Sequence, residues 1–472
     1  MDNHPNSTRP FAPLVFIGLG LGWAAEEIVT LCASRLLVEE LGLSAPLYLI
    51  YLPLFAFFGL LFAASKPIDR ILEKPATSSI ILGLGMLGIL IIALMPHRAV
   101  CTIAGTVLFA ASTASINVLW FVAFTALPLN LVRKAVLFTA LITALGTFLW
   151  SLPDTALLVV AFVALGGSVL CYERVHAKWK PSSVRLSTAK PQHIDLSPRR
   201  LSAILGVCII MMGFGFLQYT VYQFTPPAMP WSETISHVLS LALLGVSLYL
   251  ARGAEFSFGA KLATTLTLFS FVLLAVSRDA MGVSVLLAAG VEGMLELIVL
   301  LALVEYAKRS SRSPFFIGGI WMMLTGLMQW LGCLLSLAEH AALPSLSYSM
   351  FGLAIVALLI VDAVWLLNDT TVTAFLWEQK PSESTALPDR TPFEDRAAAV
   401  ARAHKLTARE TEVMELFAKG RSATYIAESF CVSNNTVRSH ILHLYAKCDV
   451  HSRQELITLI DGWPDDSGPL SH

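Results

Sequence analysis

The chain has 472 residues, of which 56% are hydrophobic and only 14% charged, with a formal net charge of −1. Soluble domains carry about 25% charged residues, so a wholly soluble protein is excluded. The length leaves room for two or three domains, and the neutral balance points to no partner by itself. Seven cysteines are scattered through the chain without CxxC or metal-ligand spacing, so buried free thiols are expected rather than a disulfide framework or a metal centre.

In chain order, a polar leader, MDNHPNSTRP, precedes an apolar run that lacks a small-residue cleavage site, and the run is expected to be a retained first span. A spanning helix needs about 20 mostly apolar residues, because the hydrocarbon core is about 30 Å thick and a helix rises about 1.5 Å per residue. Twelve such runs follow: 14–34, 47–64, 78–95, 100–126, 135–150, 155–172, 201–222, 235–251, 262–276, 281–306, 315–337 and 346–367. Glycine-rich stretches such as Gly18, Gly20 and Gly22 read as packing positions that let helices approach. Trp120, Trp150 and Trp231 stand at span ends or in loops, where interface anchors are expected.

Loop charge checks the count. Connections after even-numbered spans hold seventeen Lys and Arg, among them Lys66, Arg70, Arg133, Lys134, Lys308 and Arg309, whereas those after odd-numbered spans hold only Arg35, Arg98 and Arg278. Basic loops stay on the cytoplasmic side, so both ends of the chain are expected there. The longest connection, 173–200, is basic and polar and divides the spans into halves 11–172 and 201–368. Two six-helix halves on either side of a long loop resemble the major facilitator architecture. The loop SKPIDRILEKPA after span two carries charge but not the GxxxD pattern of many such transporters, which favours a sensor over a carrier.

Ionisable side chains inside the spans are the best pointers to a ligand site, since a charge in hydrocarbon costs several kcal/mol and faces a cavity or a partner. They are Glu26 and Glu27 in span one, Glu292 and Glu296 in span ten, and Asp362 in span twelve. Glu292 and Glu296 are four apart and share a helix face. Lining a cavity for a small cationic or hydrogen-bonding ligand is one reading; hydrogen bonding between helices is the other. His237 reads as interfacial.

Beyond Asn368 the composition turns polar, and 369–403 reads as a flexible tether to a domain over 404–465, with AAAVARAH adding a helical turn or two. Four helices are expected there. Thr407 and Glu410 form a capping box for the first, and Gly420 ends it. Ser422 opens the second, with Ile426, Ala427 and Phe430 inward. Ser433, after the turn at 431–433, caps the third, whose Val437, Ile441 and Leu444 make a core stripe. The fourth covers about 453–461.

The elements LTxRExEV at 406–413, AxG at 418–420, IA at 426–427, SxxTVRxH at 433–440 and RxEL at 453–456 together resemble the LuxR-type helix-turn-helix domain. The resemblance implies double-stranded promoter DNA as partner. Arg438, Ser439 and Leu442 would face the major groove, and Thr436, Lys447 and Arg453 would lie near phosphates. It also implies a homodimer through the last helix on paired half-sites, and contact with RNA polymerase. Leu442 stands where a polar or basic residue is common, so it would meet a thymine methyl. Cys448 replaces a usual leucine and is expected in the core. From Lys405 to Asp461 the domain holds seven basic and seven acidic residues, so a monomer should bind weakly and pairing is needed for affinity.

The expected fold is therefore all-α: a twelve-span, six-plus-six bundle in a bacterial inner membrane with a small four-helix DNA-binding domain behind it. No nucleophile–base pair, phosphate loop or metal cluster stands out, so neither an enzyme nor a cofactor is expected. Two function classes remain. One is a one-component regulator in which a ligand of the bundle controls the DNA-binding tail; the other is a secondary transporter with an autoregulatory tail.

Overall fold

The computed structural model describes residues 12–41, 46–64, 75–96, 98–178, 198–224, 232–250, 255–276, 280–310, 312–342, 350–362, 392–430 and 434–463. Among these there are helices and turns and no strand. The chain divides into two units, one holding the apolar helices and the other the tail.

Each predicted apolar run carries one helix, for a physical reason: in lipid a helix satisfies every backbone N–H and C=O within its own segment. The first half comprises α1 (Ala12–Leu41), α2 (Pro46–Ala64), α3 (Pro75–Leu94), α4 (Ala99–Thr125), α5 (Leu129–Thr147) and α6 (Asp154–Lys178). The second comprises α7 (Pro198–Phe224), α8 (Ser232–Leu250), α9 (Glu255–Val276), α10 (Met281–Arg309), α11 (Pro314–Ala342) and α12 (Met350–Val361). Ten of them are long and apolar enough to cross a bilayer; the apolar part of α8, Thr234–Leu250, and the 12 described residues of α12 fall short of that length.

Within the first half α1 packs on α5 and α6, and α3 on α4; within the second α7 packs on α11, and α10 on α8 and α9. The halves meet mainly through α2 against α11 and α5 against α8. Advancing each number of the α2–α11 pair by six around the twelve helices gives α8–α5, so the two contacts are related as the halves of an internal repeat would be. The α2–α11 contact is backbone to backbone. An ideal Cβ on Gly319 would lie 2.6 Å from the carbonyl oxygen of Gly59 and 2.7 Å from the amide nitrogen of Ala63.

The tryptophans depart from expectation. Trp120 is fully buried, and its indole N–H donates to Ser168 Oγ at 3.1 Å. The cause lies on α1, where an ideal Cβ on Gly18 would fall 2.0 Å from the Trp120 ring, so the glycine leaves the space the ring fills. Trp150 is also buried, at 8% exposure. Burial in the bundle, rather than the lipid interface, accounts for both. Trp231 and the loop 179–197 lie outside the described residues.

The tail contains the four expected helices, α14 (Ala408–Ala418), α15 (Ala423–Phe430), α16 (Asn434–Cys448) and α17 (Arg453–Asp461), preceded by a further helix, α13 (Pro392–Ala403). The expected tether reached 403 with a helical turn or two at AAAVARAH; the helix is longer than that and begins at Pro392. Ala397, Val400 and Ala401 of α13 are buried in one core with Met414, Leu444, Leu456 and Ile460. Arg396 adds a bond, donating to the Asp461 carbonyl at 3.1 Å. Small residues at positions four, three and one apart make this face, and they bury enough apolar surface against α17 to order the segment. Residues 369–391 and the turn 431–433, with the Ser433 cap, lie outside the described residues.

A second core joins Val413, Ile426, Ala427, Val437 and Ile441, with Phe430 partly buried against it. The capping box of α14 is present, with Thr407 and Glu410 each bonding the other's backbone N–H. Gly420 ends that helix at φ +96°, a left-handed conformation in which a Cβ would be strained. Ser422 Oγ accepts from the Tyr425 amide at 3.1 Å and opens α15. Cys448 is in the core at 3% exposure.

Candidate functional site

Two sites are described separately, one in each unit. In the bundle, a cavity of about 160 Å³ opens among α1, α2, α4, α10 and α11, at the meeting of the two halves. Glu26 and Glu27 of α1 and Glu296 of α10 line it. Three of the five predicted ionisable residues are thus brought to one place.

Glu26 is held by a chain of donors. Tyr51 Oη donates to Glu26 Oε1 at 2.5 Å, Asn117 Nδ2 lies 3.4 Å from Oε2, and Trp23 Nε1 donates to Asn117 Oδ1 at 2.9 Å. Glu27 Oε1 lies 3.7 Å from His237 Nε2 of α8, which links the first half to the second. His237, read from sequence as interfacial, therefore borders the cavity's acidic group. Glu292 is one turn from Glu296 and accepts from Gln329 Nε2 at 2.6 Å, and Gln329 lines the cavity. Both amides are thus turned onto carboxylates. Glu296 has no hydrogen-bond or ion-pair partner among the described residues.

Asp362 stands apart. It is fully buried, accepts from Thr264 Oγ1 at 3.2 Å, and is not among the cavity's lining residues; its Oδ1 has no partner among the described residues. Trp23, Tyr51, Asn117, Trp321 and Gln329 also line the cavity and were not singled out from sequence. Polar or amphipathic side chains inside apolar runs were the available signal, but nothing in the sequence shows that five helices bring them together.

In the tail, α16 carries five of the six residues expected to contact DNA. Val437, Ile441 and Leu444 are buried, which turns Thr436, Arg438, Ser439 and Leu442 outward on the opposite face. Arg438 has no hydrogen-bond or ion-pair partner among the described residues, so its guanidinium is free for an acceptor. Leu442 is 66% exposed, an apolar side chain left uncovered by the described residues of the tail.

The other two predicted contact residues are engaged within the domain. Lys447 Nζ lies 2.6 Å from Glu410 Oε2. That ammonium, with the Thr407 amide and hydroxyl, holds the Glu410 carboxyl down at about 2 from an ordinary 4.5. Arg453 stacks its guanidinium 5.0 Å above the Phe417 ring. Both link α14 to the helices that follow it.

Comparison with known proteins assigns the two units. Residues 404–460 match the family model for bacterial regulatory proteins of the luxR family. Over 89 residues the chain is 37% identical to a protein of Aeromonas salmonicida described as an HTH-type transcriptional regulator in the exeN 3′ region, 18% of this chain and 45% of that protein. Over 54 residues it is 43% identical to the uncharacterized response regulatory protein YgeK of Escherichia coli (strain K12), 11% of this chain and 37% of that one. The chain spans less than half the length of these curated relatives. The crystal structure of the human organic anion transporter MFSD10 matches with a TM-score of 0.55 at 15% identity, covering 77% of this chain and 100% of that one. At this identity the likeness is one of fold. The tail is a luxR-type, DNA-binding helix-turn-helix domain, and the rest is a multi-pass membrane bundle of major-facilitator-like fold.

Proposed function

We propose that the chain is a membrane-embedded, one-component transcription regulator. All twelve helices of the bundle cross a bacterial inner membrane, both ends lie in the cytoplasm, and a small molecule in the central cavity controls DNA binding by the tail. The observation that carries this reading is a luxR-type domain on the same chain as a bundle whose halves meet around a polar cavity. The seventeen-to-three loop charge asymmetry supports a cytoplasmic tail. Working boundaries are 11–368 for the bundle, a tether from 369, and a DNA-binding unit to 465 that begins with α13.

The tail's seven basic and seven acidic residues argue for a dimer, since few phosphate contacts are available to one copy. Ligand occupancy would change the conformation or association of bundles and so bring tails together on paired half-sites; RNA polymerase would be the further partner. The role is regulatory rather than catalytic. Deleting residues 406–472 and following a target promoter with and without inducer tests it. Loss of the inducer response is expected, and unchanged regulation would sink the idea.

Arg438, Ser439 and Leu442 are assigned to base edges, with Thr436, Lys447 and Arg453 nearer the phosphates. Arg438→Ala is expected to weaken specific binding by about 1–3 kcal/mol and to relax the preference at one base pair. A uniform loss across sequences, with a shallower salt dependence, would make Arg438 a phosphate contact instead.

The second reading is a secondary transporter with an autoregulatory tail, favoured by a fold that covers all of a transporter. The solute of that transporter is not carried over, because this cavity is acidic and the transporter is described as one for organic anions. Uptake by reconstituted bundle without its tail would support this reading; ligand binding without flux would support the regulator.

A further inference from the structure

We infer that the central cavity takes a small organic ammonium ion, a reading that rests on the cavity being the ligand site of the regulator. The cavity presents three carboxyl groups and no basic side chain among its lining residues. Glu26 and Glu27 from one half face the same space as Glu296 from the other, and no lysine or arginine is among the residues lining it. The two amide groups that could donate to an anion are turned onto carboxylates: Asn117 Nδ2 is directed at Glu26 and Gln329 Nε2 at Glu292. Glu296 is a carboxylate in the middle of a membrane helix without a hydrogen-bond or ion-pair partner among the described residues. Such a group in a bundle interior calls for a partner.

An ammonium group supplies what is missing, since it has donors only and opposite charge. It relieves repulsion between carboxylates of the two halves, whereas an anion adds to it. The remaining walls fit the body of such a ligand. Trp23, Phe55, Phe121 and Trp321 offer ring faces, which attract a cation electrostatically and cover an apolar substituent. A basic group beside these carboxylates, His237 of α8, stands 3.7 Å from Glu27. The bridge between halves also gives the ligand a means of acting, because a cation between Glu296 and the α1 pair draws α10 and α1 together.

The test uses the full chain in lipid nanodiscs and three probes of one shape: benzylammonium, benzyl alcohol and benzoate. Equilibrium dialysis is expected to give saturable binding of benzylammonium, with the alcohol and benzoate weaker by roughly tenfold or more. Glu296→Gln should lose that preference, and Glu296→Asp should recover part of it while both variants stay monodisperse. Equal or tighter binding of benzoate or the alcohol overturns the inference. So does the absence of saturable benzylammonium binding, or unchanged binding by Glu296→Gln. A promoter reporter separates this from the regulator reading. An amine that binds and leaves the promoter unmoved sinks the regulator and keeps the ligand class. A neutral or anionic inducer that depends on Glu296 does the reverse.

Discussion

Replacing Glu410 by Gln is expected to destabilise the C-terminal domain by about 2–3 kcal/mol, a large part of what holds a small domain folded. Glu410 is 4% exposed, and its carboxyl gathers three donors on Oε2: Lys447 Nζ at 2.6 Å, the Thr407 amide at 2.8 Å and the Thr407 hydroxyl at 2.9 Å. A fall from 4.5 to about 2 corresponds to about 3 kcal/mol of preference for the charged form, as an upper figure. Glutamine keeps an acceptor but loses the charge that Lys447 faces, and Lys447, at 37% side-chain exposure, turns partly to water, which trims the loss.

The same shift fixes a pH dependence. A carboxyl held lower in the folded state than in the unfolded one stabilises the fold above its unfolded value. Here the contribution is complete above about pH 4.5 and disappears as pH falls through the interval down to about 2. Urea unfolding of the isolated C-terminal unit between pH 6 and 2 is the measurement. Stability should fall more steeply for the natural domain than for Glu410→Gln, and parallel curves would remove Glu410 from this role. Lys447 should also lose its fixed position at the end of α16, so weaker DNA binding is expected to accompany the loss of stability.

Gly319→Leu is expected to be severely damaging to the bundle. The new Cβ would stand 2.6 Å from the Gly59 carbonyl oxygen and 2.7 Å from the Ala63 amide nitrogen, and both are backbone atoms that cannot rotate away. Overpacking in a core costs about 1–3 kcal/mol even where side chains can yield. Here α2 and α11 must separate, and with them one of the two main contacts between the halves. Loss of most monodisperse protein on detergent extraction is expected, whereas Gly83→Ala, at a position where a Cβ meets nothing within 4 Å, should extract normally. Normal yield of Gly319→Leu would mean that the helices are not held this closely in the membrane.

Much of this was legible in the chain because each half of the problem is local. Lipid demands a continuous apolar helix, so the runs from 14 to 337 announce α1 to α11 directly. The tail's helices follow from signals a few residues apart: the Thr407–Glu410 box, the Gly420 stop, and the Val437, Ile441, Leu444 stripe. α13 was legible only as a helical turn or two at AAAVARAH, because Ala397, Val400 and Ala401 are small and weakly apolar; only their burial against Leu456 and Ile460 makes them a core face. Trp120 was misplaced because the space that receives it belongs to Gly18, about a hundred residues away.

The sequence by itself determined the two kinds of unit, the core stripe of α16 and the presence of costly carboxylates inside the spans. Composition and short-range periodicity suffice for these, since each depends on residues within a turn or two of one another. Only the tertiary structure decided which carboxylates share a cavity. It set Tyr51 and Asn117 on Glu26, gave Glu296 no hydrogen-bond or ion-pair partner among the described residues, and drew Asp362 away to Thr264. It also bound Lys447 to Glu410, whereas the family resemblance had implied only a place near phosphates for Lys447. These pairings join different helices, and helix packing, not spacing along the chain, determines which side chains meet.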